Sequence, residues 1–157
     1  MKSNHVKKSI LIVVLCVLAT LASLAYVLKQ SSNQTYTNKD YGFKIDLMKD
    51  QFSVQQIDDG HGAEILFVDK EIQERYPEWG GTVFTIFVYE KSSTQENPFD
   101  ILDAPKYLGE NELYYYGAWM PTDVNYPPNE SDIVEHYKEL SRYAQEHALK
   151  SFTLLSS

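Results

Sequence analysis

The sequence has a single cysteine, Cys16, among its 157 residues. The chain after residue 28 contains none, so no disulfide stabilises that part and its stability must come from packing. Cys16 itself lies in an apolar run. We interpret it as a small apolar residue rather than a lipid-modified cysteine, because bulky Leu15 precedes it where that processing needs a small residue.

Residue combinations typical of catalysis are also lacking. No serine lies in a nucleophile-elbow motif, and the one cysteine is in the apolar run. On a helix, the eleven residues from His136 to His147 correspond to about 16 Å, too far to share a metal ion. His61 follows Asp58 and Asp59 in a glycine-rich stretch that lacks the spaced oxygen ligands of a calcium loop. We therefore predict a non-enzyme with no catalytic residue, no cofactor and no metal site.

An uncharged apolar run extends from Ser9 to Leu28. As a helix it would reach about 30 Å, the thickness of the hydrocarbon core of a bilayer. Lys2, Lys7 and Lys8 precede it, whereas Lys29 is the only nearby charge that follows. The positive-inside rule therefore predicts a single-pass cell-membrane protein with its N-terminus in the cytoplasm and its C-terminal domain outside.

The same run can be a signal peptide, because Ser23 and Ala25 are small at the two positions that a signal peptidase reads. We favour an uncleaved anchor, since the apolar stretch is longer than the apolar h-region of a usual signal peptide. Cleavage would make the protein secreted. Residues 1–8 are then a cytoplasmic N-terminus, residues 29–34 a polar linker, and residues 35–157 one extracytoplasmic domain.

The domain is strongly acidic. All 22 Asp and Glu residues, but only 10 of the 14 Lys and Arg, lie after Lys29, which leaves a formal charge near −12. Such a surface repels nucleic acid and anionic headgroups. It suits cationic partners, metal ions or simply solubility.

Hydrophobic periodicity predicts a mainly antiparallel sheet. Phe43, Ile45 and Leu47 alternate with Lys44 and Asp46, as in a half-buried strand. Similar patterns predict a strand pair over Tyr36–Leu47, a hairpin of Ser53–Ile57 and Ala63–Asp69, a central strand over Thr82–Tyr89, a second pair over Tyr107–Trp119, and a final strand over Phe152–Leu155.

Two helices complete the predicted α+β fold. Glu71–Tyr76 is short and ends before Pro77. The second is long, C-terminal and packed on the sheet, with Asn129 as its expected N-cap. Its apolar stripe at helical spacing consists of Ile133, Tyr137, Leu140, Ala144 and Ala148.

The segment Tyr41–Leu47 resembles the opening Tyr-Gly-Phe strand of PsbP-like domains, and the end of the long helix at Ala148–Phe152 is similar to theirs. Met48 and Phe52 depart from the proline and tryptophan of that pattern. The family includes the extrinsic PsbP subunit of photosystem II, a Ran-binding nuclear import factor and small secreted bacterial domains. The resemblance implies an α/β/α sandwich that docks on other proteins rather than catalysing a reaction, and it carries over no functional residue.

Aromatic residues supply the candidate interaction surface. Along a strand, Tyr114 and Tyr116 share one face while Tyr115 and Trp119 share the other. One face is expected to pack under the C-terminal helix, and the other, if exposed, offers a platform for a protein or a glycan. The predicted surface residues are Tyr114, Tyr116, Trp119 and Trp79.

Three function hypotheses follow. The first is a membrane-anchored, non-catalytic module that binds another envelope or cell-surface protein, for which a flat aromatic patch is expected. The second is a small-ligand or glycan-binding domain, which requires Trp79 or Trp119 in a concave pocket. The third is a hydrolase, which requires a buried carboxylate–histidine contact; Asp123 with His136 is the candidate pair.

Overall fold

A computed structural model of the chain describes residues 33–93, 96–100 and 105–156. Gln34–Ser157 forms one compact unit. The predicted membrane segment, residues 9–28, lies outside the described residues. Within the described part, none of the helices combines the length and the apolar character needed to cross a bilayer.

The described residues form eight strands and a small set of helices. The strands are β1 (Asn33–Asn38), β2 (Phe43–Met48), β3 (Phe52–Asp58), β4 (Gly62–Asp69), β5 (Thr82–Glu90), β6 (Lys106–Glu110), β7 (Tyr114–Trp119) and β8 (Thr153–Leu154). The helices are α1 (Lys70–Arg75), α2 (Ser131–Tyr143), a π-helical segment (Ala144–Ala148) and α3 (Leu149–Ser151), with 3₁₀ turns at Pro77–Trp79, Lys91–Ser93 and Pro98–Asp100. The strand pairs and both predicted helices are thus confirmed.

A five-stranded antiparallel sheet, in the order β3-β4-β5-β7-β6, forms the larger layer. As predicted, β5 lies at its centre. Ile86 on β5 stands between Ile65 on β4 and Ala118 on β7, and all three side chains are buried. The β-branched and aromatic content of β5 suits this position, because a central strand has a hydrogen-bonded neighbour along each edge and its side chains pack against those of both neighbours.

A separate three-stranded sheet, in the order β1-β2-β8, corrects the expectation of one sheet. Phe43 on β2 pairs with Leu154 on β8 in antiparallel register. The chain reaches β8 directly from the end of the C-terminal helix, which lies beside β2. The final strand therefore pairs with β2 and not with the larger sheet.

The C-terminal helix runs from Ser131 to Ser151 through α2, the π-helical segment and α3. All five residues of its predicted apolar stripe are buried. The predicted cap is wrong: Glu130, not Asn129, is the N-cap residue, and no side chain caps the first turn. The Glu130 N–H instead donates to the Pro127 carbonyl at 3.3 Å, so the proline loop ahead of the helix sets where it begins.

The two faces of the five-stranded sheet differ. We call the face toward the main core the inner face. Its residues join the buried side chains of β2, α1 and the C-terminal helix in one cluster that includes Phe43, Ile65, Ile72, Phe84 and Leu140. Both helices thus direct their buried side chains to the inner face. The second helical layer of an α/β/α sandwich is not found within residues 33–93, 96–100 and 105–156.

Candidate functional site

The opposite face of the five-stranded sheet, here called the outer face, carries large apolar side chains. Strand alternation places on it Leu66 of β4, Thr85, Phe87 and Tyr89 of β5, Tyr107 of β6, and Tyr115, Gly117 and Trp119 of β7. Leu66, Phe87 and Trp119 are half-buried, and Tyr107 is 42% exposed. A solvated face of an antiparallel sheet is ordinarily polar. An aromatic one is typical of a surface that binds something.

The aromatic rings of the outer face form a continuous row. The Phe87 and Tyr89 rings are nearly parallel, with centroids 6.3 Å apart. Phe99 follows, 5.4 Å from Tyr89, and Tyr107 lies 6.1 Å from Phe99. These spacings are within the range of favourable aromatic pairs, so the row is a packed structural unit of the surface.

Phe99 reaches the outer face from the 3₁₀ turn Pro98–Asp100 and is only 7% exposed. Asn97 fixes this turn, since its Oδ1 accepts the Phe99 N–H at 3.0 Å. Phe99 rests on Gly117, where a β-carbon would lie 2.1 Å from Phe99 Cε1. Glycine at 117 is therefore required for the ring to seat on the sheet.

A groove of about 210 Å³ crosses the outer face beside this row. Thr85 stands between Leu66 on β4 and Trp119 on β7, and it is 3% exposed. The short threonine between two large side chains forms the floor of the groove. The described residues that line it are Glu64, Leu66, Thr82, Thr85, Phe87, Trp119, Pro121, Asp123 and Asn125.

One lysine of the chain, Lys91, contacts both an aromatic ring and a carboxylate at another part of the outer face. Lys91 Nζ lies 4.6 Å from the centroid of the Tyr115 ring and 3.4 Å from Glu110 Oε2. This is a cation–π contact combined with an ion pair. Aromatic and acidic side chains of this face are therefore arranged so that they can hold a cation.

The predicted surface residues separate in the structure. Trp119 lies on the outer face and lines the groove, whereas Trp79 lies in the 3₁₀ turn after α1 and packs against the main core. Tyr116 is a correction: it is completely buried and cannot contact a partner. Its hydroxyl donates to the Tyr41 carbonyl and accepts from Asn111 Nδ2, and burial raises the pKa of Tyr116 to about 12.

Tyr114 points to the inner side, as the alternation with Tyr116 predicted. Its ring packs 5.2 Å from that of Tyr41, and both rings line a second cavity of about 190 Å³ with Asp58 and Glu90. The Tyr41 hydroxyl donates to Asp58 Oδ1 at 2.6 Å, and burial followed by this hydrogen bond raises the pKa of Tyr41. Tyr114 therefore packs against the hydrogen-bonded pair of Tyr41 and Asp58 at the end of the β3–β4 hairpin, and it is not part of the outer face.

The glycine-rich stretch is the turn of the β3–β4 hairpin. Besides its bond to Tyr41, Asp58 accepts from Gln56 Nε2, and Asp59 accepts the His61 N–H at 2.8 Å. Both carboxylates thus contribute to the turn. Within the described residues, no group of three His, Cys, Asp or Glu side chains is placed to bind a metal ion.

A buried carboxylate does contact a histidine, but the acid is Asp69. Its Oδ1 caps α1 by accepting the N–H groups of Glu71 and Ile72 at 2.9 and 3.1 Å. Its Oδ2 has no hydrogen-bond partner among the residues that the structure describes, and it lies 3.6 Å from His136 Nε2. Burial raises the pKa of Asp69, while its two backbone hydrogen bonds and His136 oppose the shift.

This pair does not form a hydrolytic site. The Asp69 side chain is 0% exposed, so neither oxygen is accessible to a substrate, and neither Asp69 nor His136 lines either cavity. Asp123 lies in the outer-face groove, and the acidic neighbours of His136 are Asp69 and Glu71. The candidate pair Asp123 and His136 is therefore not in contact.

The sequence interpretation missed most of the outer face. Phe87, Tyr89, Phe99 and Tyr107 were not singled out, although Thr85, Phe87 and Tyr89 share one strand face by alternation. In a strand predicted to be central, that alternation could have indicated a second apolar face of the sheet. Comparisons with protein-family models, curated proteins and solved structures return no match for this chain, so the functional argument rests on this geometry.

Proposed function

We propose that the protein is a non-catalytic interaction module that binds another envelope or cell-surface protein through its outer face. One observation carries the proposal: a sheet face with a row of aromatic rings, which the helical layer leaves uncovered. Tyrosine, tryptophan and phenylalanine are enriched in the buried parts of protein interfaces.

The shape of the outer face favours a protein over a small molecule. The groove of about 210 Å³ is smaller than the roughly 300–1,000 Å³ of ordinary small-molecule pockets. The aromatic row beside it is broad, extending over β5, β6 and β7 through Phe87, Tyr89, Phe99 and Tyr107. A broad surface with a small groove suits a partner that covers the sheet and inserts one side chain.

The cellular setting of the proposal comes from the sequence. The apolar run Ser9–Leu28, with lysines before it, supports a membrane-anchored protein with this domain outside the cytoplasm. The PsbP-like resemblance supports docking as the role of the domain. On this proposal the partner is a protein of the same membrane or of the adjoining cell envelope.

A glycan or another small ligand is the second candidate. Trp119 meets the condition set for it, because its ring lines a groove together with Asp123 and Asn125. Sugars stack on such rings and donate hydrogen bonds to carboxylate and amide oxygens. The small volume of the groove, about 210 Å³, makes this the weaker candidate.

The test is affinity capture from extracts of the native envelope with the full chain as bait, in three forms. The parent is compared with Trp119→Ser, which removes the outer-face ring, and with Trp79→Ser, a matched loss of a half-buried tryptophan elsewhere. Circular dichroism confirms that each form is folded. We expect one protein to bind the parent and Trp79→Ser but not Trp119→Ser.

Two results would contradict the proposal. In the first, Trp119→Ser recovers the same proteins as the parent. In the second, folded parent protein recovers nothing that depends on Trp119, while a glycan array shows binding that does. The latter result would favour the second candidate.

A further inference from the structure

The outer-face groove is lined by two kinds of side chain that together recognise cations. We propose that it binds an arginine side chain of the partner protein, an inference that rests on the proposed function. The groove combines the rings of Phe87 and Trp119 with the carboxylates of Glu64 and Asp123. Aromatic faces and carboxylates both attract a cation, and neither attracts an anion.

Strand register places one of the two carboxylates. Glu64 on β4 pairs directly with Phe87 on β5, so it stands beside that ring. Asp123 belongs to the loop that follows β7, in which the Asn125 carbonyl accepts the N–H of Gly81, the residue before β5, at 3.1 Å. Both acidic residues line the groove. A side chain that enters over Thr85 would therefore have two acidic residues around it.

Both carboxylates are exposed and lack a basic partner within the described part of the chain. The ion pairs there involve Glu71, Asp132, Glu110 and Asp69 rather than Glu64 or Asp123. Their charges are thus available to a partner. Among the described residues that line the groove there is no lysine or arginine.

Lys91 supplies an internal precedent on the same face. It lies over the Tyr115 ring and beside Glu110, which reproduces within the chain the contacts proposed for the partner residue. The groove offers the same two groups, ring and carboxylate, without an internal cation. Arginine fits better than lysine, because its flat guanidinium stacks on rings and binds carboxylates with paired N–H groups.

The charge of the domain agrees with a basic partner. The part of the chain after Lys29 has a formal charge near −12, from 22 acidic against 10 basic residues. This field attracts a basic surface before contact and increases its rate of association. Charge complementarity thus acts over the domain as well as in the groove.

The probe is a blocked pentapeptide with one arginine among glycines, and its control is the same peptide with citrulline, the neutral isostere. The full chain, in non-ionic detergent, contains 5-fluorotryptophan, so Trp79 and Trp119 give separate fluorine NMR signals. We expect the arginine peptide to shift the Trp119 signal with a dissociation constant on the order of 1 mM. The citrulline peptide should bind about tenfold more weakly, and the Trp79 signal should not move.

The contribution of the two carboxylates to binding is tested with the double variant Glu64→Gln/Asp123→Asn. The control, Glu139→Gln/Glu146→Gln, makes the same change of charge on the exposed side of the C-terminal helix. We expect the first variant to lose the preference for arginine and the second to keep most of it. All four residues are exposed, so both variants should fold.

The inference is overturned if both peptides shift Trp119 equally, if neither shifts it, or if the two double variants behave alike. The proposed function is judged separately by the Trp119-dependent capture of a protein. If that capture succeeds while the peptide experiment fails, the outer face binds a protein by another contact, and only the arginine inference is wrong.

Discussion

The contact between Phe99 and Gly117 gives a quantitative prediction about how the outer face is built. Gly117→Ala places a β-carbon 2.1 to 2.6 Å from three atoms of the Phe99 ring. The backbone of Gly117 is not in the positive-φ region, so alanine suits the strand itself. The clash can be relieved only if the ring leaves its seat.

The cost follows from the burial of Phe99. The ring is 7% exposed, and moving a buried phenylalanine side chain into water costs about 2 kcal/mol. Gly117→Ala should therefore lower the free energy of unfolding by about 2 kcal/mol, less about 0.5 kcal/mol gained by replacing a strand glycine. Phe99→Ala should cost about 2 kcal/mol by itself.

A double-mutant cycle, measured by urea unfolding, tests the reasoning. In the Phe99→Ala background no ring remains to be displaced, so adding Gly117→Ala should cost nothing or stabilise slightly. The double variant should thus be about as stable as Phe99→Ala alone. If the two costs add within about 0.5 kcal/mol, Phe99 does not rest on Gly117 and the described outer face is wrong.

Three further predictions concern the core and the caps. Because burial raises the pKa of Asp69 above its ordinary value, the folded protein binds more protons than the unfolded chain between those two pKa values, so the contribution of Asp69 to stability falls as pH rises through that window. Asp69→Asn should keep the α1 cap and abolish this dependence in unfolding measured from pH 4 to 8, whereas Asp69→Ala should also lose about 1 kcal/mol of capping; an unchanged pH profile in Asp69→Asn would contradict the assignment. Tyr116→Phe removes the hydroxyl that joins Tyr41 and Asn111 and should cost about 1–2 kcal/mol in urea unfolding, where no change would show that this hydroxyl is not bound. Leu140→Ala, at 0% exposure, should cost about 2–5 kcal/mol, and a loss below about 1 kcal/mol would place the C-terminal helix elsewhere.

Local patterns predicted the elements of the fold because each depends on nearby residues. The alternation of Phe43, Ile45 and Leu47 identified β2, and all three side chains are buried. The helical spacing from Ile133 to Ala148 identified the buried stripe of the C-terminal helix in the same way. Periodicity reports which side of an element is buried, and it did so correctly for both.

Long-range pairing was not predictable by these means. Nothing within Phe152–Leu155 indicates that its strand pairs with β2. The pair Phe43↔Leu154 joins residues 111 positions apart, and it follows from where the helix ends. The prediction of Asn129 as N-cap was wrong, because the helix begins at Ser131. Before it, the Glu130 N–H donates to the Pro127 carbonyl in the proline loop. These outcomes depend on tertiary contacts that a local pattern does not contain.

The candidate site was predicted only in part for the same reason. Alternation placed Tyr114 and Tyr116 on one face of β7 and Trp119 on the other, but it did not indicate which face is exposed. In the structure Tyr116 is completely buried and Trp119 is half-buried on the outer face. The contribution of Phe99 could not be foreseen, because it comes from a turn that folds back over Gly117. An exposed aromatic face becomes recognisable only when such a turn and the neighbouring strands are brought together.

Site-specific photo-crosslinking in the native cell tests most directly whether the outer face is the docking surface. Benzoylphenylalanine is placed at Tyr107, which is 42% exposed on that face, and in a parallel strain at Glu139, on the exposed side of the C-terminal helix. The account predicts a discrete crosslinked protein from position 107 that position 139 does not give. The same product from both positions, or a product from position 139 alone, would contradict it.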